Sequence, residues 1–222
     1  MNRQNNRTRR NKKVRKTIKK QHGGNNGVGI LMGRFQPFHK AHLASVLTGL
    51  ESEKIFIVGV GQDGINEKNP YTVEERMDHI IGSVKEAKPK LLHKLRVIVL
   101  PESPTDNNWS GWDKQINVLL KDLMKKYKPL HLYLYASGKD KTTADYLKKI
   151  VDQNPGLKAK AIEPVAMEGE IIGATTIRGI LNEFYKTTPL NYESLEKKLE
   201  PYLPNYMIKS IIKNIKKTAK NK

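Results

Sequence analysis

Two histidines three residues apart, His39 and His42, stand in the decapeptide GRFQPFHKAH over residues 33 to 42. Imidazole N–H groups donate hydrogen bonds to phosphoryl oxygens, and a spacing of three puts both rings on one helix face, a single turn apart. Val28 to Met32 (VGILM) is a short apolar run of buried-strand type, and Gly33 ends it with a residue that turns without steric cost. Pro37 then restricts the chain before a helix from about His39 to Leu50. Both histidines fall at the helix end where unpaired backbone N–H groups and the macrodipole favour anions. The chemistry they suit is the holding of phosphate.

A second stretch has the same character. IIGATTIRGIL, from Ile171 to Leu181, reads as a turn at Gly173, a cap at Thr175 and a helix with Arg178 in its first turn. A hydroxyl, backbone amides and a guanidinium converge there on one anion, and the planar fork of arginine fits phosphate bidentately. Capped helices with an early arginine also occur in purely structural roles, so the stretch gains its meaning from being paired with the histidine loop.

The elements that must position these residues alternate along the chain. Strand-like runs at Val28 to Met32, Ile55 to Val60, Leu95 to Leu100, His131 to Tyr135 and Ala161 to Val165 are separated by helix-like segments. One of these, TVEERMDHIIGSVKEA, has Thr72 and Glu75 in capping-box positions and Val73, Met77, Ile80, Ile81 and Val84 at helical spacing. Further helices are expected over 111 to 126, 142 to 152, 176 to 186 and 205 to 217. The alternation predicts an α/β fold: a Rossmann-like, doubly wound parallel sheet covered on both faces, with a helical C-terminal segment. Ligands of such sheets bind beyond the carboxyl ends of the strands near the switch point, and GRFQPFHKAH occupies the loop after the first strand.

Charge and composition bound the rest. A chain of 222 residues buries one substantial core, and the domain is expected over 28 to 217 with tails on either side. Residues 1 to 20 hold ten Lys or Arg and no acid, and residues 209 to 222 hold six Lys and no acid. Sixteen of the nineteen net positive charges therefore sit at the two ends, and the body carries +3. Residues 1 to 27 read as a disordered basic arm and glycine-rich linker, and 218 to 222 as a basic tail. The arm is either a solvated tail or a nonspecific contact for nucleic acid or another acidic surface, with a nuclear import signal around RRNKKVRK as a further reading.

With no cysteine, disulfides, thiol nucleophiles and Cys-ligated zinc are excluded, which suits an intracellular protein of the cytoplasm or nucleus. No apolar run approaches the roughly 18 to 20 residues that cross a bilayer, so no membrane partner is expected. His22, His79, His93 and His131 share no ligand spacing, and neither a nucleophile elbow nor a Walker loop is present.

Together these stretches resemble the nucleotidylyltransferase superfamily of the HxGH type, and within it the nicotinamide mononucleotide (NMN) adenylyltransferases of archaeal and phage type. GRFQPFHKAH is similar to that family's GRFQPxHxGH and GATTIR to its ISxTxIR; KNPYTVEERMDHI, DNNW and SGKDKTTADYL resemble intermediate segments, in order, over Val28 to Ile215. The resemblance implies an enzyme that joins NMN, or its acid analogue, to the AMP part of ATP, giving NAD and pyrophosphate. It implies His39, His42 and Arg178 as the catalytic set. ATP would be bound by Gly33, Arg34, Phe35, Lys68, Lys139, Asp140, Thr175 and Thr176. NMN would be bound by Asn108 and Trp109, with Trp112 competing to stack on the pyridine ring. Lys139 and Asp140 read equally well as a turn and a helix start.

The resemblance also implies magnesium carried with ATP rather than a dedicated metal site, and a homo-oligomer. One position departs from the pattern: the family's HxGH glycine is Ala41 here, which adds a methyl where adenosine lies close and predicts weakened ATP affinity. Two other readings stand beside the adenylyltransferase. One is a nucleotidylyltransferase with a different phosphate acceptor; the other is a non-catalytic nucleotide-binding protein whose arms bind nucleic acid.

Overall fold

The computed structural model describes residues 27–62, 64–102, 109–128, 131–137, 148–162, 166–167, 170–187 and 189–220. Five strands make one parallel sheet: β1 (Gly27–Gly33), β2 (Ile55–Gln62), β3 (Leu95–Glu102), β4 (His131–Ser137) and β5 (Leu157–Ile162), in the order β3-β2-β1-β4-β5. The chain winds outward from β1 to β3 and returns to lay β4 against the other side of β1. The carboxyl ends of β1 and β4 are therefore the switch point where a doubly wound sheet opens a crevice.

Alternation along the central strands explains why their sequences are apolar throughout. Val28, Ile30, Ile57, Leu132 and Leu134 point to one face, where they pack with Ile116, Leu120 and Leu123 of α3 (Trp109–Tyr127) and Ile150 of a helix α4, described over 148–153. Leu31, Phe56, Val58, Val60 and Tyr135 point to the other. They meet α1 (Lys40–Ser52), α2 (Val73–Ala87), α5 (Ala174–Lys186), α6 (Tyr192–Leu199) and α7 (Asn205–Lys220). Gly49 lets α1 lie directly on the Phe56 ring, which occupies the space any side chain there would need.

The capping box opens α2 as the sequence predicts: Glu75 N–H donates to Thr72 Oγ1 at 3.1 Å and Thr72 N–H to Glu75 Oε2 at 2.9 Å. Of the expected apolar face, Ile80 and Val84 are buried and Val73 and Met77 pack against the same core, while Ile81 is 39% exposed and Arg76 and His79 are buried in addition. The fifth strand lies at Leu157–Ile162 rather than 161 to 165. Its alternating lysines suit an edge strand, and residues 163–165 lie outside the described residues.

Three elements lie outside the sequence expectation. A two-residue antiparallel pair, β6 (Ala166–Met167) and β7 (Glu170–Ile171), precedes α5. Helix α6 is capped by Asn191, whose Oδ1 accepts from Ser194 N–H at 2.9 Å, and it buries Leu195 and Leu199. A 3₁₀ turn, Pro89–Lys94, leads into β3. Helix α7 continues to Lys220, with Met207, Ile208, Ile211 and Ile215 as its buried stripe. Of the arm and linker expected over residues 1 to 27, Gly27 begins β1 and residues 1–26 lie outside the described residues; no helix among the described residues is long and apolar enough to cross a membrane.

Candidate active site

The loop between β1 and α1 is folded by its own aromatic residues. Phe38 is fully buried and Phe35 nearly so, their rings meeting edge to face at 5.8 Å between centroids. Phe35 reaches this position with φ of 53°, a left-handed conformation that costs a non-glycine residue roughly 1 to 2 kcal/mol. Its ring lies against Gly33 and meets His42 edge to face, with ring centroids 5.0 Å apart.

His39 is the N-cap of α1 and His42 its third residue, so both sit at the helix start as the spacing predicts. Their rings are stacked, with centroids 3.7 Å apart and planes 16° from parallel. His39 N–H donates to His42 Nδ1 at 3.4 Å, a long bond that spends one of the helix's free amides on the imidazole. Burial among Phe35, Phe38 and His39 pushes the His42 pKa well below the usual imidazole range, although the residue as a whole is half-buried. The facing His39 lowers it further, and a hydrogen bond to the Pro37 backbone works the other way. His42 is therefore a neutral donor at physiological pH, on a helix whose first turn contains no acid.

Arg178 comes to the same loop from the far end of the chain. Its Nη1 donates to the Gln36 carbonyl at 2.8 Å and its Nη2 to Thr175 Oγ1 at 3.4 Å. The N-cap of α5 is Gly173, not Thr175, because Gly173 holds the extended backbone and Ala174 already begins the helix. Thr175 thus stands at the second helical position and Arg178 begins the second turn. Gly173 has no side chain to cap the helix, no acid lies in its first turn, and Thr175 and Thr176 are exposed. The two motifs paired by sequence are joined by a direct hydrogen bond.

The loop is also gripped from α2. Gln36, 5% exposed, donates through Nε2 to the Tyr71 carbonyl at 2.8 Å, while Tyr71 N–H donates to Gln36 Oε1 at 3.0 Å. Arg76 Nη1 donates to the carbonyls of Arg34 at 2.7 Å and Gly61 at 2.8 Å. Neither the Gln36 amide nor Arg76 is singled out by residue type. The available signal was that both lie in family-like segments, GRFQP and TVEERM, with no exposed role to explain them.

Arg34 and Lys68 are exposed, Lys68 on a turn where its N–H donates to Asn66 Oδ1 at 2.9 Å. Ala41 is partly buried against the core, and its carbonyl accepts from Ser45 Oγ at 3.0 Å. Trp109 is the first residue of α3, two residues ahead of the expected start, and Trp112 lies one turn further on. Asn108, Lys139 and Asp140 lie outside the described residues. Among the described residues no three His, Cys, Asp or Glu side chains come together as a metal-holding group.

This arrangement, two imidazoles at the start of one helix and a guanidinium near the uncapped start of another, beside a switch point, is suited to a phosphate chain. Residues 30–194 match the family model described as cytidylyltransferase-like. Over 86 residues the chain is 36% identical to a nicotinamide-nucleotide adenylyltransferase of Saccharolobus solfataricus, covering 38% of this chain and 49% of that protein, about half its length. Over 168 residues it is 26% identical to a nicotinamide/nicotinic acid mononucleotide adenylyltransferase of Acinetobacter baylyi, covering 71% and 84%. A bifunctional NMN adenylyltransferase/ADP ribose pyrophosphatase from Francisella tularensis shares the fold with a TM-score of 0.57 at 22% identity, covering 72% of this chain and 42% of that one. With its sheet order, its paired motifs and a family match over most of its length, the chain belongs to the cytidylyltransferase-like family.

Proposed function

We propose that the protein is an adenylyltransferase that joins NMN, or its acid analogue, to the AMP part of ATP, releasing pyrophosphate. The observation that carries the reading is the stacked His39 and His42 pair, lying against the same loop whose Gln36 carbonyl holds Arg178. An oxygen of the NMN 5′-phosphate forms a bond to the α-phosphorus as the bond to the bridging β-phosphate oxygen breaks, and that electron pair leaves with pyrophosphate. The attacking phosphate is already ionised, so no general base is required. Catalysis is then orientation plus stabilisation of charge on phosphoryl oxygens.

In this reading His39 and His42 donate to the ATP phosphates, and Arg178 with the amides after Thr175 and Thr176 holds the β and γ groups. Arg34 and Lys68 add cations. The backbone at Gly33 and Phe35 lies along the nucleotide, and Lys139 and Asp140 are assigned to adenosine or its ribose. Asn108 and Trp109 receive the nicotinamide end, a Trp face being a good platform for a cationic ring, with Trp112 the alternative. Imidazole, guanidinium, hydroxyl and amide donors suit phosphate oxygens, whereas magnesium demands oxygen ligands, so the ion enters as part of the MgATP substrate.

The protein is incubated with MgATP and either NMN or its acid analogue, and the dinucleotide is detected by mass. Formation with one acceptor supports the reading. Turnover only of CTP, or of ATP with another phosphate acceptor, replaces it with a sibling nucleotidylyltransferase. Nucleotide binding without turnover in any pair replaces it with a binding protein. The same proposal makes the chain an intracellular homo-oligomer of the cytoplasm or nucleus, whose residues 1–20 contact nucleic acid or another acidic surface through clustered cations. Deletion of residues 1–24 that leaves nucleic-acid affinity and its salt dependence unchanged removes that last part.

A further inference from the structure

Arg76 has the sequence context of a solvent-facing residue early in a helix, yet its side chain is fully buried. Charged groups are almost never fully buried unless the fold holds them in place. Here Nε donates to the Thr72 carbonyl at 3.1 Å, and Nη1 donates to the Arg34 carbonyl at 2.7 Å and the Gly61 carbonyl at 2.8 Å. Arg34 follows β1 and Gly61 lies in β2, the neighbouring parallel strand, near its carboxyl end. The guanidinium therefore ties the phosphate loop to the adjacent strand end and to the first turn of α2.

The Arg34 carbonyl belongs to the peptide unit that enters Phe35. Phe35 is the residue in the left-handed conformation, and its ring packs edge-on against His42. Holding that carbonyl fixes the orientation of the peptide plane from which the strained turn, the Phe35 ring and the His42 imidazole follow in order. A lysine ammonium keeps the charge but is a single point, and it cannot reproduce donors placed on both Nε and Nη1.

We propose that Arg76 is a positioning residue for adenylyl transfer: it locks the loop over residues 34 to 36 so that His42 is aimed before ATP arrives. The kinetic half of this inference rests on the function proposed above; the binding half does not. Arg76→Lys and Arg76→Met are compared with the wild type and with Leu120→Ala, which removes a fully buried side chain from the opposite core. ATP affinity is measured by calorimetry without acceptor, the KM and kcat for each substrate by initial rates, and stability by thermal unfolding.

The expected result for Arg76→Lys is at least a 30-fold fall in ATP affinity and in kcat/KM for ATP, with the KM for NMN within twofold of wild type. Leu120→Ala should lose as much thermal stability and stay within threefold in every kinetic constant. Arg76→Lys within threefold of wild type for ATP overturns the proposal, as does loss of activity by the two variants in proportion to lost stability. If the substitutions prevent folding, the wild-type Arg76 Nη–H nuclear magnetic resonance signals carry the test: without ATP they should be protected from solvent exchange, and rapid exchange that slows only on addition of ATP overturns the proposal. A wild type that binds ATP but forms no dinucleotide removes the proposed function and leaves the binding comparison decisive.

Discussion

Replacing Arg178 with Gln tests the link between the two ends of the chain most directly. A guanidinium has five N–H donors; in the ligand-free protein two are engaged, one on the Gln36 carbonyl at 2.8 Å and one loosely on Thr175 Oγ1 at 3.4 Å. Three remain, among the described residues, for phosphate oxygens. Two charge-assisted bonds to the β and γ groups, each worth about 1.5 to 3 kcal/mol in a partly enclosed site, give about 3 to 4 kcal/mol after allowance for solvent. At 1.36 kcal/mol per decade that is roughly a 150- to 1000-fold fall in kcat/KM for ATP. The stability cost is smaller. One half-exposed bond to Gln36 is lost, about 1 kcal/mol, or roughly 2 to 4 °C in Tm for a chain of this size. Arg178→Lys, which keeps the charge and loses the fork, should fall about tenfold. The assay is initial-rate dinucleotide formation over a range of ATP concentrations, beside thermal unfolding of the same samples. An Arg178→Gln protein within threefold of wild type in kcat/KM for ATP would refute the convergence of the two motifs on one triphosphate.

His42→Ala should lower kcat by roughly 100- to 1000-fold, the usual cost of losing one donor aimed at developing phosphoryl charge, and unchanged turnover would remove His42 from the catalytic set. Burial lowers the pKa of both His42 and His79, so the unfolded chain binds more protons than the folded one below about pH 6.5. Stability should be fully present above that pH and decline by up to about 1.4 kcal/mol per pH unit for each histidine as the pH falls through the folded values. Thermal unfolding that does not change between pH 7 and 5.5 would contradict this burial. Ala41→Gly should lower the KM for ATP and cost up to about 1 kcal/mol of helix stability, measured by urea unfolding; an unchanged KM means adenosine does not approach the first turn of α1.

The sheet and the loop were legible because each is carried by short-range rules. Apolar strand runs, Gly33, Pro37 and the Thr72 to Glu75 box give β1, α1 and α2 within a few residues. The fifth strand was misplaced because LKAKAI alternates lysine with small residues, a pattern that suits an edge, whereas AIEPV has the apolar look of a buried strand. Thr175 looked like a cap by residue type, yet capping depends on where the backbone turns helical, and that happens at Gly173. Arg76 and the Gln36 amide were missed for a different reason. Apart from the Thr72 carbonyl on Arg76 Nε, their partners are main-chain carbonyls and amides 15 to 42 residues away, and no residue identity encodes such partners.

Three costly features meet at the phosphate loop, and their coincidence is informative. Phe35 occupies a left-handed conformation, Arg76 carries a full charge into the interior, and His42 is held neutral against a second imidazole. Each works against folding by an amount comparable to a sizeable share of the 5 to 15 kcal/mol that keeps a typical domain folded, about 1 to 3 kcal/mol for the backbone strain alone. A sequence selected only for stability would remove them cheaply, with glycine at 35 or an apolar residue at 76. The two apolar layers around β1, β2 and β4 are large enough to tolerate all three. Three such features brought together at the phosphate loop are the pattern expected when geometry is held fixed for a ligand before the ligand binds. On this argument Ala41 is a lesser perturbation than its place between the histidines suggests: it changes how closely adenosine packs, while the gripped carbonyls of Arg34 and Gln36 still set where the imidazoles and Arg178 stand.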